Sequence, residues 1–371
     1  MLAHSAHRSR QDLGQIAAIG IATFLSVVIL FRLMGTPMLQ SDVLGYSEQS
    51  YRWWQASMHL PGYATLLWLF RTLTFGIIND VVLMQTISLA AWAGSIWAFL
   101  QIAEKVNPSA ARWGAVIYGL YPFVGVTFVA WPLSDTVANF ALIYAILCLY
   151  RRDWPRLTLS LAAMLLMHKA LWPFAAAISL VAWQRGFPLW RVFASGVPLV
   201  LFWLFVAASG AGLFWIVSID VSDHFSVGTS LPILDGVLGT LMRGGMRGTV
   251  KGLILLSLLG GTVVMTWIYG RRGNLEMLAI LIPVLGLLVI LNEWVIWAAF
   301  RYSKILVIPF IGLLPQSHPF GRWLSRVPGA FWICVAFLTA TQIAFAMRVE
   351  TYFRNNIGAQ TYEVTQPRNN N

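Results

Sequence analysis

Charge is what this chain has least of. Asp, Glu, Lys and Arg make up 11% of its 371 residues, where a soluble domain carries roughly 25%. A water-soluble fold built from it would have too little polar surface to cover its core. Carboxylates are the scarcest, with 14 Asp and Glu against 25 Lys and Arg, for a formal net charge of +11. Cysteine is almost absent: Cys148 and Cys334 each sit in an apolar run and read as small packing residues, not as a disulfide or metal site. HExxH and CxxC are missing, and with them the usual metal signatures. GxSxG, Walker A and GxGxxG junctions are missing too, which argues against a nucleotide-using cytosolic enzyme. The basic residues are scattered over short segments and form no block, which argues against nucleic acid as a partner.

What fills the chain instead is hydrocarbon. Hydrophobic residues account for 58% of it, and the mean hydropathy is +0.71. Apolar runs close to the length of a bilayer crossing recur from end to end, which predicts an all-α polytopic membrane protein. A strand barrel would show weak alternation in its place. Runs fall near residues 15–34, 59–76, 81–103, 112–130, 133–150, 156–168, 170–184, 188–208, 249–269, 275–291, 301–315 and 328–347. The first lacks a small-residue cleavage site and is expected to stay as a span.

Positive charge orients these runs, because cytoplasmic loops collect Lys and Arg. Lys105 and Arg112; Arg151, Arg152 and Arg156; Arg185 and Arg191; Arg271 and Arg272; and Arg322 and Arg326 all face the cytoplasm in one threading. That threading requires 59–76, which is short and interrupted by Arg71, to remain on the outer side without crossing. The expectation is about 11 transmembrane helices in a single membrane domain over 1–371. Residues 35–80 then form an outer loop with juxtamembrane helices, 209–247 a second outer loop, and 348–371 a polar tail.

The same threading places Asp42, Glu48, Asp135, Asp220, Asp223 and Glu293 on the outer face. The first outer loop, LQSDVLGYSEQSYRWW at 39–54, sets Asp42 and Glu48 among Tyr46, Tyr51, Trp53 and Trp54. Rings of this kind settle at headgroup depth, and a carboxylate held among them is partly desolvated and chemically useful. Asp135 opens the run after Trp131-Pro132, where a plain N-cap is the competing explanation. His168 and Lys169 interrupt an apolar stretch; a Lys at a span end can snorkel, yet the adjacent His suits a phosphate contact. Glu293, Arg301, Tyr302 and Lys304 cluster late in the chain. Arg301 and Lys304, at i,i+3, present two cations on one helical face for a phosphate. Asp220, Asp223 and His224 lie in the second outer loop. Arg243, Arg247 and Lys251 form a basic stripe best explained by lipid headgroups.

This order of features resembles the GT-C membrane glycosyltransferases that use polyprenyl-phosphate sugars, mannosyltransferases among them. The matching segments are Ser41-Asp42-Val43-Leu44-Gly45-Tyr46, then His59-Leu60-Pro61-Gly62-Tyr63, then YGLYPFVGVTFVAWPLSDTVANFALIYAILCLYRR at 118–152, and AFRYSKILVIPF at 299–310. The second motif carries one proline where the family often has two. The resemblance implies a sugar moved from a polyprenyl-phosphate donor to the hydroxyl of a lipid, glycan or protein acceptor at the extracytoplasmic face, with inversion. It implies Asp42 as general base, with Tyr46, His59, Asp135, His168, Lys169, Glu293, Arg301, Tyr302 and Lys304 binding substrate. No cofactor is required on this reading, and a divalent cation shared by Asp42 and Asp135 is the less favoured variant. A transporter or lipid flippase is the main alternative, though no internal repeat is visible. A polysaccharide polymerase or ligase shares the same lipid-linked logic.

Overall fold

A backbone amide that leaves water must find its partner within its own segment, and an apolar run does so most simply as a helix. In the computed structural model, which describes residues 41–52, 60–121, 134–211, 245–290, 303–314, 329 and 332–344, no strand occurs among the described residues. The helices are α1 (Ser41–Tyr51), α2 (Pro61–Leu73), α3 (Asp80–Val106), α4 (Ala111–Gly119), α5 (Ser134–Arg151), α6 (Trp154–Met167), α7 (Trp172–Gln184), α8 (Leu189–Val206), α9 (Gly245–Arg271), α10 (Leu275–Ile290), α11 (Val307–Leu313) and α12 (Trp332–Ala344). Prolines sit at the first turns of α2, α6 and α7, where the missing N–H costs nothing. Asn79 caps α3 by accepting the Val81 amide at 2.8 Å.

Three helical segments among the described residues are long and apolar enough to cross a membrane: Asp80–Val106, Leu189–Ser209 and Gly252–Arg271. Others are short for a crossing. The expected span at 156–168 is α6, of 14 residues, and that at 170–184 is α7, of 13. Each is only about 20 Å long, against a hydrocarbon core of ~30 Å. The run at 301–315 is not one helix: a 3₁₀ turn over Lys304–Leu306 precedes the seven residues of α11. The run at 15–34, the 212–244 stretch of the second loop and the 348–371 tail lie outside the described residues.

The run at 59–76 becomes α2, of 13 residues, about 20 Å long. It ends in a left-handed closing turn. Gly76 N–H donates to Arg71 O at 3.0 Å and Phe75 N–H to Thr72 O at 3.1 Å, with Phe75 at φ 52° and Gly76 at φ 69°. Glycine usually holds the first of these positions, and a phenylalanine adopts it at some conformational cost. The turn displays apolar surface, with Phe75 89% and Ile77 84% exposed.

The basic turns collect at one end of the bundle. Arg151, closing α5, donates to Gln101 near the end of α3 at 2.9 Å. Trp154, opening α6, packs its ring on Phe187 in the α7–α8 turn, with centroids 5.4 Å apart. Arg185 bridges to Glu276 of α10 at 2.5 Å, which brings the Arg271–Arg272 turn alongside. Asn107, just past α3, donates to Ile311 O at 2.9 Å and Leu314 O at 2.8 Å. Four of the five basic groups read from the sequence thus share one end, and the fifth lies outside the described residues.

At the opposite end, α1, α2 and α3 are locked together by one ion pair. Arg71 donates Nε to Asp80 Oδ1 at 2.9 Å and Nη2 to Asp80 Oδ2 at 2.6 Å, with the two side chains 13% and 14% exposed. The same guanidinium reaches Ser50 Oγ at 2.6 Å and lies over the Tyr51 ring at 3.6 Å. Ser47 donates to Asp80 at 2.6 Å, so α1 is held from both partners of the pair. Removing one member of a buried pair leaves its counterpart uncompensated, so Arg71→Ala or Asp80→Ala is predicted to destabilise by about 3–5 kcal/mol. Thermal denaturation of the detergent-purified protein measures this, and Arg71→Asp combined with Asp80→Arg should recover part of the loss.

Candidate functional site

Five predicted site residues have described side chains, and three of them meet. The backbone of α1 places Asp42 one turn before Tyr46. The Tyr46 side chain is 4% exposed, and its hydroxyl is 2.8 Å from Ser134 Oγ, in the first turn of α5. Asp135 follows, 3% exposed. His168 comes to it from the end of α6, with Nε2 4.0 Å from Asp135 Oδ1. Three helices separate in sequence thus bring a phenol, a carboxylate and an imidazole to one place.

Local structure fixes each of them. Asp135 stands in the first helical turn, where a negative charge is favoured by the backbone dipole. Asn139 donates back to Asp135 O at 2.7 Å. His168 is the extended residue between α6 and the Lys169–Leu171 3₁₀ turn. Its Nδ1 accepts the Ala170 N–H at 3.2 Å, which assigns the proton to Nε2, the nitrogen facing Asp135. At 4.0 Å the two are beyond direct hydrogen bonding but close enough for mutual electrostatic influence.

Tyr63 completes the wall. It is fully buried, meets Tyr46 edge-on with centroids 5.0 Å apart, and lies beside Ser88 of α3. Its helix approaches closely because of Gly62. A Cβ there would fall 2.7 Å from the Leu166 carbonyl oxygen, so α2 touches the end of α6 backbone to backbone. That contact seats Tyr63 beside the helix end that leads into His168.

Lys304 belongs to a second polar layer. It is 8% exposed, with Nζ 5.5 Å from the centroid of Tyr118, a ring stacked on Phe99 at 4.7 Å. Tyr118 lies beside Ser95, seven residues and therefore about 10 Å along α3 from Ser88. Ser303 joins this layer through Tyr121, hydroxyl to hydroxyl at 2.9 Å. Lys304 is thus about two helical turns nearer the basic end than the Tyr46–Asp135 group. It stands in the 3₁₀ turn over Lys304–Leu306. Lys169 is half-buried next to His168. His59, Glu293, Arg301, Tyr302, Asp220, Asp223 and His224 lie outside the described residues.

Sequence reasoning missed Ser134 as the partner of Tyr46 and took Arg71 only as an interruption. The one signal for the latter was an arginine with an aspartate nine residues on, across a Gly-containing turn. No protein-family model matches the chain, and no curated protein matches it significantly.

The geometry carries a stability prediction. Tyr46→Phe leaves the buried Ser134 hydroxyl without its partner and should cost about 1–3 kcal/mol. Thermal melts in detergent measure it. Tyr46→Phe combined with Ser134→Ala, which removes both polar groups, should be less damaging than the single change.

Proposed function

We propose that this chain is a multi-span membrane glycosyltransferase of the GT-C kind, with about eleven crossings and its site at the extracytoplasmic face. The observation that carries the reading is the meeting of Tyr46, Asp135 and His168 at the end of the bundle opposite the basic turns, directly beside the α1 turn that bears Asp42. With the basic turns facing the cytoplasm, that meeting point lies outside. Both ends of α2 stay in that half of the bundle, Gly62 against Leu166 and Arg71 on Asp80, which supports the threading.

In this reading an acceptor hydroxyl attacks the anomeric carbon of a polyprenyl-phosphate sugar. Asp42 takes the hydroxyl proton as general base. The new C–O bond forms as the bond from the anomeric carbon to the phosphate oxygen breaks, and its electron pair leaves with the phosphate. Inversion follows from a single displacement. Asp135, with the His168 Nε2–H facing it, orients the acceptor or the base. Lys169, and Arg301 with Lys304, would stabilise the charge that grows on the departing phosphate. The depth of Lys304 fits a phosphate drawn down between the helices better than one at the surface. Buried ionisable groups inside a membrane bundle are costly, and by default they mark a substrate path.

The test is transfer by the purified protein from polyprenyl-phosphate hexoses, mannose first. Asp42→Asn should lose turnover by roughly 100-fold or more while still binding donor. Normal turnover in a folded Asp42→Asn protein removes that residue from the mechanism. Sidedness is tested separately. In a cysteine-free background, Arg152→Cys should resist a membrane-impermeant thiol reagent in intact cells and react after permeabilisation. Ready labelling in intact cells reverses the threading.

A further inference from the structure

A hollow of a different character lies between α6, α7 and α8. It encloses about 390 Å³ and is lined by Leu161 and Leu165 of α6, Ala176 and Trp183 of α7, and Leu189 and Ser195 of α8, among others. Small side chains on α7, Ala175, Ala176 and Ser179, open the space. Two polar groups in its wall are already satisfied from within the protein. Ser195 Oγ donates to Val192 O at 2.7 Å and Trp172 Nε1 donates to Leu165 O at 3.0 Å. The wall therefore offers an occupant mainly hydrocarbon contact. Its mouth is lateral, since Leu180, Trp183 and Leu189 are each about half exposed.

Length and charge narrow the occupant. From Trp172 to Trp183 the groove follows α7 for about 16 Å, close to half of the ~30 Å hydrocarbon core. That is the depth of one leaflet. At its basic end stands the α7–α8 turn. Arg191 lies between Leu189 and Val192, both of which line the groove. Its Nε is buried with no hydrogen-bond partner, and its guanidinium sits 4.9 Å from the Trp190 ring, which is 63% exposed. Arg185, two residues past Trp183, is committed to Glu276. A guanidinium in the first turn of α8, beside an exposed tryptophan and next in sequence to Val192 at the basic end of a one-leaflet apolar groove, is complementary to an anionic headgroup.

We propose that this groove holds an acyl chain of an anionic glycerophospholipid from the leaflet at the basic end, with the headgroup phosphate on Arg191. The proposal rests on the bundle being membrane-embedded but not on glycosyl transfer. It places the lipid's headgroup at the end of the molecule opposite the candidate site, where the lipid serves as a structural ligand and not as the donor.

Thermal denaturation of the full-length protein in detergent tests it, with four probes: dioleoyl phosphatidylglycerol, dioleoyl phosphatidylcholine, glycerol 3-phosphate and a long-chain polyprenyl phosphate. Phosphatidylglycerol should raise the midpoint by about 5 °C, phosphatidylcholine by less than half of that, and glycerol 3-phosphate not at all. Ala176→Phe, which fills the groove from a lipid-exposed position, should abolish the phosphatidylglycerol shift. Ser179→Leu does the same from a second position if the first variant fails to fold. Arg191→Gln should reduce the phosphatidylglycerol shift to the phosphatidylcholine value. Equal shifts from the two phospholipids, or a shift retained in the groove-filling and Arg191 variants, overturns the proposal. So does a larger shift from polyprenyl phosphate that Ala176→Phe removes and Arg191→Gln spares, because the phosphate then lies at the other end. A loss of transfer in Asp42→Asn leaves all of these shifts unchanged, so the two ideas fail separately.

Discussion

The pairing of Arg71 with Asp80 is the constraint on which the upper part of this bundle depends. Two charges that are each nearly nine-tenths shielded are tolerable only with full hydrogen bonding. Here the guanidinium is engaged by a carboxylate, a serine hydroxyl and a tyrosine ring. Since Ser47, Ser50 and Tyr51 all belong to α1, that helix is fixed relative to α2 and α3 by polar contacts. α1 carries Asp42 and Tyr46, so the position of the proposed base is set by an ion pair that does not itself take part in chemistry.

Depth organises the rest. Along α3 the polar layers follow one another: Asp80 at the start, Ser88 beside Tyr63, and Ser95 beside Tyr118 with Lys304 above that ring. The lowest layer lies 15 residues from Asp80, about 22 Å along the helix. The charged turns close the bundle at its far end. The Tyr46–Asp135–His168 group and Lys304 occupy adjacent levels of this series.

The helical class, the shortness of the 59–76 segment and the common end of the basic turns were legible in sequence, because each depends on composition within one segment or on a charge count between segments. Asp135 and His168 were each legible as polar interruptions of apolar runs. Their meeting was not, since it depends on how α5 and α6 pack, and neither was the close approach of α2 that Gly62 allows at the Leu166 carbonyl. Tyr46 was read from its neighbours in α1, but its partner Ser134, 88 residues on, leaves no local trace. Lys304 was placed on a helical face by its spacing from Arg301. The structure places Lys304 in a 3₁₀ turn, and Arg301 lies outside the described residues.

The turn after α2 has a consequence of its own. Leu73, Phe75 and Ile77 project from it into the surroundings, within a few residues of Arg71 on one side and Asp80 on the other. Embedded in lipid, these side chains behave as a float whose level follows the surface of the hydrocarbon. The segment joining the two charges is thereby tied to the level of the membrane surface.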